Sequence, residues 1–171
     1  MSKQATASKT LEAYMEALES PDGMLRQSAR EGLVALGGKA VAPLARALVN
    51  AKEKQVRWEA AKALGAMEDA RAIPALVRAL EDSDSDVIWL AAEALGEFGS
   101  AAWPALLAAL IAEGTESAIL RKGMHHVFAN QKESGKGGVL APLQSALEAG
   151  ALPEAAPMAA SELLKQLTAP A

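Results

Sequence analysis

A phrase that recurs every 31 residues constrains this chain more than any other feature. Leu25, Val56 and Val87 each begin an apolar, alanine-rich segment, and they lie 31 positions apart. Each copy continues into a proline and a Leu-x-x-Ala-Leu segment, and a fourth, longer copy begins at Ile119. Self-similarity at a period of about 20 to 50 residues indicates stacked units, none of which buries its apolar face alone. The chain is therefore predicted to be an array of small repeats.

The spacing of apolar residues within one unit predicts two helices. In the second copy, one helical face is formed by Val56, Ala60, Ala63, Leu64 and Met67. Pro74 then falls in the first turn of a second helix, where its missing N–H costs little. The composition agrees, because 40 Ala and 23 Leu favour helices, whereas sheets favour the aromatic residues that make up only 4% of the chain. An all-α fold is predicted, and a β-sandwich, a barrel and a parallel-sheet enzyme are excluded.

The predicted architecture is an α-α superhelix of about ten helices, counted from the sequence pattern. It is expected to form one domain at residues 10–168 after a flexible N-terminus at residues 1–9. Four full repeats are predicted at residues 23–51, 53–82, 85–113 and 116–149, with capping half-repeats at 10–20 and 153–168. The first cap resembles a lone second helix and the second cap a lone first helix. A long turn rich in Gly and Lys is expected at residues 131–138.

The fourth repeat departs from the others in its predicted register. Ile119 is placed at the position of Val56, which puts Phe128 where the second and third repeats have Gly65 and Gly96, so this unit is the least regular of the four. On that register the next position holds an arginine in the first two repeats only: the residues are Arg26, Arg57, Ile88 and Leu120.

The second copy resembles the HEAT repeat, in particular the short variety first noted in phycobilisome lyases. The resemblance is carried by the segment Val56 to Gly65, which reads VRxxAAxALG, and by the segment Ala72 to Leu80 that follows it. The third repeat carries it through Ala91 to Gly96, and the resemblance covers roughly Met24 to Ala149. It implies an armadillo-like helical solenoid. Proteins of this kind are mostly binding scaffolds, and a minority are bilin lyases, hydroxylases or DNA glycosylases.

The resemblance therefore implies a non-catalytic protein-binding scaffold or adaptor. The alternative is a bilin lyase, or a chaperone-like protein related to phycobilisome lyases. More remote alternatives are a structural subunit and a HEAT-like protein of nucleic-acid repair. A bilin chromophore is expected only under the lyase alternative.

Charge and composition exclude several classes of protein. A net charge of −4 argues against a nucleic-acid binder, whose affinity depends on neutralising phosphates. The absence of cysteine excludes disulfides and thiolate metal sites. No apolar run approaches the ~18 residues of a membrane span. Because residues 1–9 lack an apolar leader, a cytoplasmic protein is expected.

The charges are distributed unevenly along the chain. The segment up to Gln55 carries 8 basic and 6 acidic residues, whereas residues 56–116 carry 4 basic and 11 acidic residues. An acidic middle favours a protein partner with a basic patch.

Two tryptophans are the first candidate binding residues. Trp58 and Trp89 occupy the same repeat position and point away from the predicted core face. Because packed helices lie ~10 Å apart, the two rings are predicted to form an aromatic stripe on one surface. Tryptophan is enriched in binding hot spots. The alternative is that both rings pack against neighbouring helices.

Four arginines are the second set of candidates. Arg46 and Arg78 match each other in the second helices, and Arg26 and Arg57 match in the first helices. Basic rungs of this kind can bind acidic side chains or phosphates through bidentate hydrogen bonds. The alternative is a structural ladder of hydrogen bonds between repeats.

No catalytic residue, metal ligand or cofactor is predicted. His125 and His126 are adjacent and point 100° apart on a helix, so they do not suit one metal ion; His126 is expected to be half-buried and His125 exposed. Residues 82–86 look like the start of a calcium loop but lack the glycine at its sixth position. The glycines of 135–138 follow no strand, which excludes a phosphate loop. Trp103 is expected to cover the end of the core.

Overall fold

The computed structural model describes residues 3–129, 138–148 and 150–169, and within these ranges it contains ten α-helices and no strand. The helices are α1 (Lys3–Ala17), α2 (Gly23–Ala35), α3 (Gly38–Asn50), α4 (Lys54–Met67), α5 (Ile73–Ala79), α6 (Ser85–Glu97), α7 (Trp103–Glu113), α8 (Ala118–Ala129), α9 (Ala141–Ala146) and α10 (Ala155–Thr168). Short 3₁₀ turns at Ala70–Ala72 and Gly99–Ala101 precede α5 and α7.

The helices stack in two layers. In the first-helix layer, α2, α4, α6 and α8 each pack against the next one, and in the second-helix layer α3, α5 and α7 do the same. The helix that ends one repeat also packs against the helix that begins the next, as α3 does against α4 and α5 against α6. The predicted all-α solenoid is confirmed.

One continuous core runs between the layers. It is filled by the leucines of the repeated phrases, among them the fully buried Leu44, Leu76 and Leu106. Burial of each such side chain contributes about 1.5–3 kcal/mol, so the regular leucines supply much of the stability. Small residues set the spacing of the stack, since a Cβ added at Gly65 of α4 would lie 3.0 Å from the Cβ of Ala94 in α6.

Short polar residues fix where helices begin. Asp22 caps α2 by accepting a hydrogen bond from the N–H of Met24 at 2.8 Å, and Asp84 caps α6 in the same way. Prolines stand at the start of α5, α7 and α9, as predicted. Pro43 is the exception, because α3 begins at Gly38 and so contains it. Gly37, whose φ of 60° suits glycine, turns the chain directly into α3.

The fourth repeat has a different register from the predicted one. Leu120 is 1% exposed and Ile119 is 52% exposed, so Leu120 occupies the position of Val56 and Val87. The step from Val87 to Leu120 is 33 residues, two more than the earlier steps, and the added length lies in α7, which has 11 residues where α5 has seven. The prediction was wrong because both residues are apolar and the repeat period does not account for a longer second helix.

Both ends of the chain also differ from the predicted caps. The helix α1 begins at Lys3 and not at residue 10, since residues 3–9 contain neither Gly nor Pro to stop it. The helix α10 packs against α7 and α9, so it extends the second-helix layer instead of resembling a first helix. With only six residues, α9 is too short to cover α7, and Ala156, Ala160 and Leu163 of α10 are buried there. The predicted long turn lies outside the described residues except for Gly138.

The 3₁₀ turn before α5 yields a prediction about pH. Asp69 accepts hydrogen bonds from the backbone N–H and the guanidinium of Arg71, and these bonds lower the pKa of Asp69 to about 2. A lowered pKa means that the ionised form stabilises the fold above the unfolded-state value of about 4 and that this contribution is lost as the pH falls toward 2. Asp69→Asn keeps the cap but removes the charge.

We therefore expect Asp69→Asn to melt below the wild type at neutral pH, and the difference between the two midpoints to shrink as the pH falls from about 5 to about 2. Thermal melts followed by circular dichroism measure this difference. The exposed Glu97→Gln is the control and is expected to match the wild type throughout. A difference that stays constant with pH would contradict the role given to the charge.

Candidate functional site

Trp89 lies on the outward side of α6. Its side chain is 50% exposed, and its ring lies beside that of His126 from α8, with 5.7 Å between the centroids and 43° between the planes. His126 is half-buried and His125 is exposed, in agreement with the prediction. The indole is thus held on one side by the next helix and open to solvent elsewhere.

Trp58 occupies the equivalent place on α4 but has different surroundings. It is half-buried and packs against the core. The Nζ of Lys62, one helical turn further along, lies 4.7 Å from the centroid of the Trp58 ring. Because a cation within about 6 Å of an indole face is attracted to it, Lys62 occupies the outer surface of this ring. The same repeat position therefore presents one covered and one open tryptophan.

Two carboxylates flank the open tryptophan. Asp86 precedes Trp89 by three positions and Glu93 follows it by four, so all three lie on one helical face. Both acidic residues are exposed. Neither makes an ion pair with any residue in the described ranges. We call Asp86, Trp89 and Glu93 the Trp89 face.

Arg57 directs its guanidinium into the protein. Its Nη1 donates to the carbonyls of Ala51 at 3.0 Å and Lys52 at 2.9 Å. Its Nε and Nη2 donate to the Asp82 carboxylate at 2.6 and 2.9 Å, and Nη2 also donates to Ser83. The bond to Asp82 raises the pKa of Arg57. A guanidinium has five N–H groups, so all of them have internal acceptors. Arg57 fastens α4 to the turns on either side of the second repeat.

Arg26 and Arg121 make the same carbonyl contacts in the first and fourth repeats. The Nη1 of each donates to two carbonyls of the preceding turn: Ser20 and Pro21 for Arg26, at 2.8 and 3.0 Å, and Gly114 and Thr115 for Arg121, at 2.5 and 3.0 Å. Arg121 was not among the predicted residues, because the predicted register gave this position to Leu120. The burial of Leu120 corrects the register and shows three arginines with one structural role.

Glu59, next to Trp58, is buried at 3% exposure between α2 and α4. Arg30 donates to its Oε2 at 2.5 Å, and the Nε of Arg26 lies 3.4 Å from its Oε1. The second contact is an ion pair without hydrogen-bond geometry, since the Nε of Arg26 has no hydrogen-bond acceptor. The network anchors the helix that carries Trp58.

Arg46 and Arg78 lie on the other side of the molecule from these contacts. They are exposed on α3 and α5, which pack against each other in the second-helix layer. Within the part of the chain that the structure describes, neither guanidinium has a hydrogen-bond or ion-pair partner. The equivalent residues of the next two repeats, Ala108 and Ser145, carry no charge. The basic row therefore has two members.

Ion pairs neutralise part of the acidic middle. In the described residues, four of the acidic side chains between positions 56 and 116 pair with a base: Glu59, Asp69, Asp82 and Asp84. The other seven are exposed: Glu68, Glu81, Asp86, Glu93, Glu97, Glu113 and Glu116. The surface of the middle repeats is thus acidic.

The described ranges offer neither a metal site nor a membrane span. No group of three or more His, Asp or Glu side chains there could hold a metal ion. The Asp-rich segment 82–86 instead caps α6 and binds Arg57 and Lys54. None of the described helices is both long and apolar enough to span a membrane.

Comparison with known proteins found a family model that is similar to part of the chain. Residues 41–123 match the family model described as HEAT repeats, a segment that extends from α3 into α8 and contains the Trp89 face. No curated protein matches the chain.

Proposed function

We propose that this HEAT-repeat protein is a non-catalytic scaffold or adaptor that binds a partner protein through the outward surface of α4, α6 and α8. HEAT repeats generally serve protein–protein interaction. A stack of rigid repeats presents side chains of successive helices at regular spacing over an extended surface. The observation that carries the proposal is the half-exposed indole of Trp89, held in place by His126.

An indole in this setting can supply substantial binding energy. A tryptophan has up to about 250 Å² of surface, and at about 25 cal/mol per Å² covering the exposed half of Trp89 is worth roughly 3 kcal/mol. The contact with His126 restricts the ring before a partner arrives, so less side-chain entropy is lost on binding. Trp89 therefore combines a large exposed apolar surface with a restricted side chain, as binding hot-spot residues do.

The other candidate residues take different places in this proposal. Trp58 borders the surface, with Lys62 over its ring. We leave Arg26 and Arg57 out, because their guanidinium groups bind the protein itself. The exposed pair on α3 and α5 belongs to a separate surface and serves as a comparison in the test below.

Affinity capture with variants tests the proposal. Tagged wild-type protein is expected to retain a partner from the native lysate, identified by mass spectrometry. Trp89→Ala, alone and with Trp58→Ala, is expected to reduce its recovery at least about tenfold, because hot-spot truncations cost about 2 kcal/mol or more. Circular dichroism and thermal melts confirm that each variant is folded.

Two further variants make the result interpretable. Met158 of α10 is 71% exposed and apolar, so Met158→Ala controls for the loss of any exposed hydrophobic side chain and is expected to leave recovery unchanged. If Arg46→Ala/Arg78→Ala loses the partner while Trp89→Ala keeps it, the partner binds the second-helix layer and the proposed surface is wrong.

The resemblance to the short repeats of phycobilisome lyases leaves a bilin lyase as the alternative function. The scaffold proposal predicts that a free bilin keeps its visible absorbance spectrum when mixed with micromolar protein. A shifted spectrum would favour the lyase.

A further inference from the structure

Two equivalent tryptophans differ in the residue that follows them by four positions. After Trp58 this residue is Lys62, whose ammonium lies 4.7 Å from the centre of the ring. After Trp89 it is Glu93, a carboxylate. The second repeat thus supplies its own cation to its tryptophan, whereas the third repeat places an acid there and leaves the ring 50% exposed.

The Trp89 face extends this difference to both sides of the ring. Asp86 and Glu93 stand one helical turn before and after Trp89, where side chains on a helix approach within about 5–6 Å between Cβ atoms. Both carboxylates are exposed, and neither pairs with a cation in the described portion of the chain. An indole between two unpaired carboxylates attracts a positive charge and repels a negative one.

We propose that the Trp89 face is a receptor for an arginine side chain of a basic segment on the partner protein. The inference rests on the proposed function and names the chemistry of the partner. A guanidinium stacks on an indole and can donate to a carboxylate on either side, which a compact ammonium does less well. Its place over Trp89 corresponds to the place of Lys62 over Trp58.

The charge around the receptor favours the same partner. Besides Asp86 and Glu93, five further exposed carboxylates lie between positions 56 and 116. Lys62 and Arg78 are the exposed bases of that segment without an ion-pair partner among the described residues. Such a surface accelerates the approach of a basic segment and slows that of an acidic one.

A single-tryptophan protein tests the receptor directly. In the Trp58→Phe/Trp103→Phe background, Trp89 alone reports binding through its fluorescence. The probe is a short synthetic peptide of alternating Arg and Gly, compared at low ionic strength with the same peptide carrying citrulline, which keeps the shape but lacks the charge. We expect a saturable change in emission with the arginine peptide and binding about tenfold weaker with the citrulline peptide.

Matched variants separate the receptor from simple charge attraction. Asp86→Asn/Glu93→Gln is expected to weaken binding of the arginine peptide about tenfold. Glu113→Gln/Glu116→Gln removes the same charge from the end of α7 and is expected to change this affinity less than about twofold. Glu93→Lys is expected to abolish the response, because its ammonium covers Trp89 as Lys62 covers Trp58. Equal losses in the two double variants, or binding that survives Glu93→Lys, would overturn the proposal.

The partner found by affinity capture distinguishes this inference from the proposed function. If Trp89→Ala loses the partner and Asp86→Asn/Glu93→Gln keeps it, the scaffold surface stands and the arginine receptor is wrong. If both variants lose the partner while Glu113→Gln/Glu116→Gln keeps it, the receptor is supported.

Discussion

Arg57→Ala is expected to lower the free energy of unfolding by about 3 kcal/mol, because it breaks a nearly buried charge pair and the bonds to two carbonyls. The side chains of Arg57 and Asp82 are 12% and 8% exposed, so water cannot fully replace the lost bonds at Asp82. The variant also releases the turn at Ala51 and Lys52 from α4. Urea denaturation followed by circular dichroism measures the change.

Two other variants define what the Arg57 result means. Arg46→Ala removes an exposed arginine and is expected to cost less than about 0.5 kcal/mol. Arg57→Lys retains the charge, but an ammonium group cannot donate to the five acceptors that the planar guanidinium reaches. We therefore expect this variant to recover less than half of the lost stability. If Arg57→Ala were as stable as Arg46→Ala, the structural role given to Arg57, which fastens α4 to the turns on either side of its repeat, would be wrong. Arg57 would then again be a candidate for contact with a partner.

The repeat period predicted the interior of this protein better than the lengths of its helices. Leu33, Leu64 and Leu95 keep the 31-residue step and are fully buried, because stacking imposes the same packing on each copy. Leu25 is the exception, since it shares the repeat position of the buried Val56 but is 55% exposed.

The step changes before α8, because α7 has 11 residues where α5 has seven. Leu120 then takes the core position, and Arg121 beside it reaches the carbonyls of Gly114 and Thr115. The hydrophobic pattern alone does not fix the residue at which α7 ends.

The position of α10 shows the same limit on a larger scale. First and second helices both present one apolar stripe, so the pattern of Ala156, Ala160 and Leu163 is compatible with either layer. The choice follows from the short α9, which leaves part of α7 to be covered. Length and not polarity decides the docking of the last helix.

The candidate site was predictable in its residue types but not in their surroundings. Sequence analysis equated Trp58 with Trp89, and the i+4 spacing of Lys62 was available to suggest a covered ring. The contact of Trp89 with His126 depends on the register of α8, which sequence analysis placed one residue away. For the arginines, sequence identified the charge, whereas only the fold shows that Arg26 and Arg57 bind carbonyls of their own chain.

Phe128→Ala is expected to cost about 4 kcal/mol, the range found when a large buried aromatic is truncated. Phe128 is fully buried and occupies the place that leucine holds in the other repeats, as Leu33, Leu64 and Leu95. Phe128→Leu restores that leucine and is expected to cost only about 1.5 kcal/mol or less, since a similar volume can repack. Chemical denaturation of the two variants and the wild type gives both values.

The loss at Phe128 is expected to concentrate at one end of the stack. Each repeat contacts only its neighbours, so a cavity under α8 weakens α8 and the helices beside it more than α2 or α4. Amide hydrogen exchange should therefore accelerate in α8 first and remain unchanged in α2. Because His126 of α8 orders the ring of Trp89, Phe128→Ala should also weaken binding of the arginine peptide, although Phe128 is not on the surface. Uniform acceleration of exchange in every helix would mean that the stack unfolds as one unit, contrary to this expectation.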